Sequence, residues 1–306
     1  MNLSSSPLDV WSATPTPFTK NFKIDLPATQ RMIQRHIALK CDGVMLGGSC
    51  GEGPWLSSFD LRDLVTHAVE SAEKKIKIAV QVTDNSENPV LERIESAKNW
   101  GADFAVLAQP YFLMRATPER LSKYYIDICE RSPLPLIFYD RGRNSSIPVP
   151  TEILPDILAH PKIYSVKNSA AQDPDHFQAM CEVRKKRPEL RVNSGDEFSL
   201  IQALQEGYDG AFFGGMILTA AAVREVMNLY QSNDIEAAKA LDKQTQEVLF
   251  AAYGGENISC WLAGLKYMLI RLGVFAEWNN VLDYPLTDPC KKAVDQAVEN
   301  TPWLHT

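Results

Sequence analysis

Short apolar runs alternate with amphipathic stretches along the first two thirds of the chain. Helical spacing of apolar residues marks the stretches, and β-prone residues mark the runs. The apolar runs cover residues 9–13, 43–46, 76–82, 104–108, 136–139, 163–166, 190–193 and 210–213. Eight strands that alternate with helices are typical of an α/β fold in which a parallel sheet closes into a TIM (β/α)8 barrel.

The main alternative to a barrel is a doubly wound open sheet. Such a sheet usually has fewer strands and often a glycine-rich phosphate-binding turn after the first one, whereas residues 14–18 here read Thr-Pro-Thr-Pro-Phe. After the eighth run the pattern is helical only. We therefore predict a catalytic barrel domain over residues 1–225 and a C-terminal helical extension over residues 226–306, a size that suits this barrel class.

Composition narrows the class of function. The net charge is -7 and no basic block stands out, which argues against a nucleic-acid partner. No apolar run approaches the ~20 residues that span a membrane, and residues 1–8 lack the apolar core of a secretory signal. The six cysteines are scattered, as in a reducing cytoplasm. No metal-binding or nucleotide-binding motif appears, so no such cofactor is expected.

A lysine follows the sixth apolar run directly. In residues 163–166, Ile163, Tyr164 and Val166 favour a buried strand, and Lys167 comes next. The carboxyl ends of barrel strands carry the chemistry in this fold. Lys167 is therefore either an ordinary solvated side chain or an amine in an apolar mouth, where its neutral form can attack a ketone to give a Schiff base.

The second strand runs into a glycine-rich loop, residues 47–53. Its glycines, Gly48 among them, let the backbone approach a ligand, and Ser49 and Cys50 with their N–H groups can bind a carboxylate. A plain turn between strand and helix is the alternative. No histidine is placed to activate Cys50, so a cysteine nucleophile is not expected.

The fifth and seventh strands also end in polar residues. Tyr139 is either an acid or base in the barrel mouth or a rim tyrosine. Arg141 and Arg143 either pair with a substrate carboxylate or form surface ion pairs. Asp196 and Glu197 either hold substrate hydroxyls or cap the next helix. Together with the lysine and the glycine-rich loop, these groups indicate a Schiff-base enzyme that acts on a 2-oxo acid.

The chain resembles the dihydrodipicolinate synthase and N-acetylneuraminate lyase superfamily of class I aldolases over nearly its whole length. Residues 12–18 resemble the family's opening strand and loop, and residues 48–52 resemble its pyruvate-carboxylate motif. Residues 283–287 resemble the Arg-x-Pro-Leu segment of its C-terminal helices. Tyr139 and Lys167 match the catalytic tyrosine and the Schiff-base lysine of the family.

The resemblance implies a mechanism that needs no cofactor. Lys167 would form a covalent imine with pyruvate or a similar 2-oxo acid, and the protonated imine would be the electron sink. Tyr139 would shuttle protons, while Ser49 and the N–H of Cys50 would hold the carboxylate. Since the family commonly forms tetramers built from dimers, a homo-oligomer, either dimer or tetramer, is also expected.

Departures from the family pattern concern the substrate. Phe112 takes the position of a tyrosine that the synthases lend from a neighbouring subunit, and it has no hydroxyl. Asn144 takes the position of their substrate-binding arginine. Ser49 and Cys50 replace two threonines. The proton relay of an authentic dihydrodipicolinate synthase is therefore incomplete in this chain.

The acidic pair points to another substrate class. Asp196 and Glu197 resemble the sugar-hydroxyl contacts of sialic acid lyases, and Arg141 is placed to bind the far carboxylate of a sugar acid. We predict a carbon–carbon lyase that cleaves a 2-keto-3-deoxy sugar acid, or a related hydroxylated 2-oxo acid, to pyruvate and an aldehyde. The alternatives are a dehydratase of such acids, an authentic dihydrodipicolinate synthase and a non-catalytic barrel.

Overall fold

Eight parallel strands form a closed barrel in which each strand pairs with its neighbours in chain order. The computed structural model describes residues 7–142, 145–170 and 173–305. Within these ranges the strands are β1 (Asp9–Ala13), β2 (Gly43–Leu46), β3 (Lys77–Gln81), β4 (Phe104–Ala108), β5 (Leu136–Asp140), β6 (Ile163–Asn168), β7 (Arg191–Ser194) and β8 (Gly210–Phe213). The predicted TIM (β/α)8 barrel is confirmed.

Helices follow the strands and cover the outside of the barrel. The described residues contain α1 (Leu26–Ala38), α2 (Ser58–Ala72), α3 (Glu87–Asn99), α4 (Pro118–Arg131), α5 (Leu154–Ala159), α6 (Pro174–Lys186), α7 (Leu200–Glu206), α8 (Met216–Gln231), α9 (Ile235–Tyr253), α10 (Trp261–Arg271) and α11 (Asp288–Asn300). Side-chain caps and prolines in the first turn define where several of the helices begin. The Ser57 side chain accepts the N–H of Asp60 before α2, and Thr117 caps α4 with Pro118 in its first turn.

Two apolar clusters hold the barrel together. Inside it, the Trp11 ring centroid lies 5.4 Å from that of Phe212 and 5.8 Å from that of Phe104, so the barrel interior is a packed core. A larger cluster fills the space between the strands and the surrounding helices. The inner cluster ends at Tyr139, where the interior becomes polar.

The C-terminal helices pack against the barrel and against each other. Helix α9 contacts α8, α10 and α11, and α8 in turn contacts β1. The Nη2 atom of Arg35 in α1 donates to the carbonyl of Leu304 at 2.8 Å. The predicted helical extension is thus present. Residue 225 lies within α8, and the division into domains at this residue stays a prediction.

The sixth strand differs from its prediction in two details. It continues to Asn168, so Lys167 belongs to the strand itself. Tyr164, predicted to be buried, is 47% exposed. The pairing register shifts here, because Leu136 pairs with Ile163 and the next residue of β5 pairs with Ser165. Tyr164 is therefore the extra residue of a β-bulge, which leaves its side chain half exposed, with its ring centroid 4.6 Å from that of Phe104 in the inner cluster.

One predicted helix is broken in two. The apolar spacing of residues 151–158 predicts one continuous helix, but a short 3-10 turn (Thr151–Ile153) precedes α5. An α-helix that began at Thr151 would need the N–H of Pro155 for one of its first hydrogen bonds, to the carbonyl of Thr151. Proline has no N–H, so the α-helix begins at Leu154, where Pro155 falls in its first turn.

Candidate active site

Lys167 lies at the carboxyl end of β6 and points into the barrel mouth. Its Cα pairs in register with that of Tyr139 on β5. The Nζ atom is 4.4 Å from the ring centroid of Tyr139 and 5.1 Å from that of Phe212. Only 5% of the residue is exposed, and no carboxylate among the described residues forms an ion pair with it. In the part of the chain that the structure describes, this lysine is thus neither solvated nor in a salt bridge.

Tyr139 is a buried phenol beside two cations. Burial raises the pKa of the phenol, but the positive charges of Lys167 and Arg141 oppose this effect. Hydrogen bonding to the hydroxyls of Ser49 and Ser169 acts in the same direction as the cations. The net result is a pKa below the ordinary value of 10.0. This phenol therefore gives up its proton more easily than a free tyrosine does.

Glycines shape the loop after β2. Gly47 has a φ of +66°, and a Cβ atom on Gly53 would lie 1.7 Å from the carbonyl oxygen of Gly47, so glycine is required at both positions. Ser49 and Cys50 line the cavity in front of Lys167. Gly48 does not line it, and its carbonyl accepts the N–H of Gly53 at 3.1 Å. Burial raises the pKa of the Cys50 thiol, which agrees with the expectation that Cys50 is no nucleophile.

A buried ion pair fixes this loop to the C-terminal helices. The Nζ atom of Lys266 in α10 donates to Glu52 Oε1 at 2.5 Å, and Glu52 Oε2 accepts the N–H of Val281 at 2.6 Å. Neither charged side chain is exposed. On the other side, the Thr16 hydroxyl donates to the carbonyl of Gly51 at 2.6 Å. The turn that carries Ser49 and Cys50 is thus held from both sides.

The acidic pair after β7 is placed at the cavity wall, but both carboxylates already have protein partners. Asp196 accepts the N–H of Phe198 and the hydroxyl of Ser199, as a turn residue before a helix does. Glu197 accepts the N–H of Gly215 and the hydroxyl of Tyr253, both at 2.8 Å. Burial raises the pKa of Glu197. Each carboxylate oxygen can accept a further hydrogen bond.

Arg141 also lines the cavity. A buried hydrogen-bond network fixes the position of its backbone. The Gln109 amide accepts the N–H of Arg141 at 3.2 Å and donates to Asp140 Oδ1 at 3.0 Å. Asp140 Oδ1 also accepts the N–H of Gly142, while its Oδ2 lies 2.7 Å from His176 Nδ1. This hydrogen bond is the largest cause of the raised pKa of His176.

Arg143 and Asn144 lie outside the described residues. That Arg143 is a second substrate-binding arginine therefore stays a prediction. That Asn144 replaces the substrate-binding arginine of the synthases stays a prediction as well.

One cavity of about 1130 Å³ collects most of the predicted site residues. The residues that line it come from all eight strand ends and from the C-terminal part. Of the predicted residues, those at the wall are Ser49, Cys50, Tyr139, Arg141, Lys167, Asp196 and Glu197. Phe112 is not at the wall and is 65% exposed.

Several residues at the cavity wall were not singled out from the sequence. Gln81 is the last residue of β3, Tyr111 follows β4, and Asp173 precedes α6. Trp261 and Tyr284 come from the C-terminal part and form an edge-to-face aromatic pair at 5.4 Å. The position of Gln81 at a strand end was a usable signal. The sequence contained no such signal for Trp261 and Tyr284, because only the packing of α10 brings these two rings together.

None of the helices in the described part of the chain is long and apolar enough to cross a membrane.

The chain is similar in sequence to a known protein family. It matches the model of the dihydrodipicolinate synthetase family over residues 6–300. A 4-hydroxy-tetrahydrodipicolinate synthase from Gluconobacter oxydans (strain 621H) is 25% identical over 292 residues, which make up 94% of this chain and 95% of the relative.

Solved structures with the same fold include a synthase and a lyase. Dihydrodipicolinate synthase from Bacteroides thetaiotaomicron gives a TM-score of 0.86 at 22% identity, with 98% of this chain and 100% of that chain covered. N-acetylneuraminate lyase from Mycoplasma synoviae gives 0.78 at 19% identity, with 95% and 97% covered. At these identities the likeness shows the shared fold.

Proposed function

This chain belongs to the dihydrodipicolinate synthetase family, and we propose that it is a Schiff-base-forming lyase of the class I aldolase type. Its substrate would be a 2-keto-3-deoxy sugar acid or a related hydroxylated 2-oxo acid, and its products pyruvate and an aldehyde. The proposal requires no metal or other cofactor, because a covalent imine at Lys167 supplies the electron sink.

One observation carries this proposal. Lys167 is 5% exposed, has no anionic partner among the described residues and faces the ring of Tyr139. A lysine with only a structural role is usually solvated or paired with a carboxylate. A buried amine beside a phenol of lowered pKa is instead suited to imine chemistry, in which a second group moves the protons.

Imine formation is the first step. The neutral amine of Lys167 attacks the C2 carbonyl of the bound acid, and the carbinolamine then loses water to give a protonated imine. The hydroxyl of Ser49 and the N–H of Cys50 hold the C1 carboxylate during this step. Tyr139 donates the proton that the departing hydroxide takes up.

Cleavage follows in the same site. The Tyr139 phenolate removes the proton of the C4 hydroxyl, the C3–C4 bond breaks, and its electron pair moves into the imine to give an enamine and a free aldehyde. The enamine is then protonated at C3 by Tyr139. Hydrolysis of the imine releases pyruvate and restores Lys167.

The cavity supports a substrate longer than pyruvate. Its volume of about 1130 Å³ exceeds the range of roughly 300–1,000 Å³ that is typical of sites for drug-sized ligands, which are much larger than a three-carbon acid. Arg141, Asp196 and Glu197 also line it. A cation for a distal carboxylate and carboxylates for hydroxyls are the groups that a sugar acid needs.

Borohydride trapping with pyruvate tests the proposal. Wild-type protein incubated with pyruvate and reduced should gain the mass of one reduced pyruvate imine, and Lys167→Ala should gain none. The matched control is Lys162→Ala, which removes a lysine from the same segment and should leave the adduct intact. No adduct in the wild type, or an undiminished adduct in Lys167→Ala, would refute the proposal.

The products separate the proposed lyase from a dehydratase. The same imine can expel a hydroxyl, which yields a deoxygenated 2-oxo acid that keeps all its carbons. Free pyruvate with an aldehyde marks carbon–carbon cleavage. An assay with pyruvate and aspartate semialdehyde tests authentic synthase activity, which we expect to be absent because Phe112 has no hydroxyl.

A further inference from the structure

Gln81 is a buried amide at the cavity wall that nothing in the proposed mechanism uses. It is the last residue of β3 and is 7% exposed. Its side chain follows that of Ala79, two residues earlier, which belongs to the cluster inside the barrel. The amide therefore faces the barrel interior at the depth where the cavity begins.

One end of this amide is anchored and the other is not. The Nε2 atom donates to the Thr83 hydroxyl at 3.1 Å, and the same hydroxyl oxygen accepts the N–H of Ala108 at 2.8 Å. Gln81 Oε1 is buried and has no hydrogen-bond partner among the described residues. A buried polar atom without a partner is costly and uncommon, so its presence at a cavity wall points to a ligand group.

The donor and acceptor atoms of the Gln81 amide indicate which kind of ligand group it can bind. The Thr83 hydroxyl can either accept from Nε2 or donate to Oε1, since a hydroxyl does both. In either orientation of the amide, one polar end is left without a partner. A ligand hydroxyl can pair with the free end whether that end is Oε1 or Nε2, because a hydroxyl both donates and accepts. A carboxylate can only accept, so it can pair only with a free Nε2.

A second hydroxyl-binding group lies next to Gln81. Tyr111 lines the same cavity; burial raises the pKa of its phenol, and the neighbouring Gln81 amide opposes this effect. Arg141 is close enough to affect the phenol electrostatically. The amide, the phenol and the guanidinium thus form one polar wall on the β3 to β5 side, opposite the acidic pair after β7.

We infer that Gln81, together with Tyr111, is a specificity-determining subsite for a hydroxyl on the aldehyde portion of the substrate. The inference rests on the proposed function, because that function defines which hydroxyl is meant. Tyr139 is assigned to the C4 hydroxyl, so Gln81 would bind a hydroxyl further along the chain. A polyhydroxylated acceptor would then be preferred to an unsubstituted one of the same length.

The reaction run towards condensation tests this with two matched aldehydes. Pyruvate joins glyceraldehyde or propanal with no atom lost, and the two aldehydes share a three-carbon skeleton but differ in their hydroxyls. We expect wild-type protein to prefer glyceraldehyde in kcat/KM. Gln81→Met, which keeps the side-chain length and removes both polar atoms, should reduce this preference about tenfold. Gln81→Glu, which keeps an acceptor, should retain most of the preference.

Borohydride trapping with pyruvate on the same variants provides the independent control. Pyruvate has no hydroxyl for Gln81 to bind, so the trapped adduct should form equally in wild type, Gln81→Met and Gln81→Glu, which also shows that the variants are folded. An adduct in wild type without a preference for glyceraldehyde, or an unchanged preference in Gln81→Met, would overturn the subsite alone. Absence of any wild-type adduct would overturn the proposed function and the subsite with it.

Discussion

At the scale of single residues, the notable feature is one buried phenol flanked by two cations. Lys167 faces the ring of Tyr139 from β6, and Arg141 follows Tyr139 along the chain. Both positive charges stabilise the phenolate, and in a partly desolvated site such charges act more strongly than in water. The environment of Tyr139, and not its residue type, thus sets its proton affinity.

Arg141→Gln should raise the pKa of Tyr139, because the guanidinium now stabilises the phenolate form. The limb of the pH dependence of kcat/KM that reports this phenol should therefore move to higher pH, and activity near neutral pH should fall about tenfold. Pyruvate release measured across a pH series checks this. Arg62→Gln, at an exposed arginine paired with Asp63, is the control, and an unmoved profile in Arg141→Gln would contradict the prediction.

At the scale of elements, two buried charge pairs hold the loops that carry the site. The Glu52–Lys266 pair joins the loop after β2 to α10, and the Asp140–His176 pair joins the end of β5 to α6. Burial alone lowers the pKa of Lys266 and is opposed by Glu52. Buried pairs of this kind contribute little net stability, but the loss of one partner is costly.

Lys266→Met should lower the free energy of unfolding by about 3–5 kcal/mol, because it leaves Glu52 as a buried charge without its cation. The double variant Glu52→Gln with Lys266→Met should recover most of this loss, since Gln can still accept the N–H of Val281. Urea denaturation of the wild type, the single variant and the double variant measures both effects. A single variant as stable as wild type would show that the pair is not needed.

The Asp140–His176 pair makes stability depend on pH in a defined direction. The folded-state pKa of His176 is raised above its unfolded value, so the contribution of the pair is complete below about pH 6.5 and is lost as pH rises through the folded pKa. We expect His176→Leu to cost about 3 kcal/mol at acid pH and less at alkaline pH. Thermal unfolding over a pH series measures this, with the exposed His305→Leu as control. A cost that grew with pH would reverse the assigned sign.

At the scale of the whole molecule, the C-terminal helices belong to the site as well as to the packing. Trp261, Leu282 and Tyr284 form part of the cavity wall, and Lys266 anchors the loop after β2. The barrel alone therefore leaves one side of the cavity open. A role in the cytoplasm and assembly into a homo-oligomer stay predictions at this scale.

Phe112 marks the surface where assembly is expected. It is 65% exposed, and Met114 on the same loop is 77% exposed, which is unusual for large apolar side chains in close sequence. We expect wild-type protein to sediment as a dimer or tetramer and Phe112→Asp to shift it to a smaller species. Phe59→Asp is the matched control, because Phe59 is 68% exposed on α2. If the wild-type protein sediments as a monomer in analytical ultracentrifugation, the prediction is wrong.

The barrel and the position of its lysine could be predicted from the residue pattern without the structure. A barrel strand is buried on both faces, so it needs a short continuous apolar run, and such runs are visible without any partner. The strand bounds 9–13, 43–46, 104–108 and 210–213 follow from this rule alone. Since parallel strands bring their carboxyl ends to one face, the convergence of Tyr139 and Lys167 follows as well.

The distant residues that complete the site could be identified only in the folded chain. Glu52 and Lys266 are 214 residues apart in sequence, and the Oε1 atom of Gln81 lacks a partner in the described part of the chain only because of what packs around it. Periodicity reports the neighbours of a residue along its own helix or strand, and it contains no information on contacts that barrel closure creates. The bulge at Tyr164 and the partners of Asp196 and Glu197 depend on such contacts, and they became visible only in the folded chain.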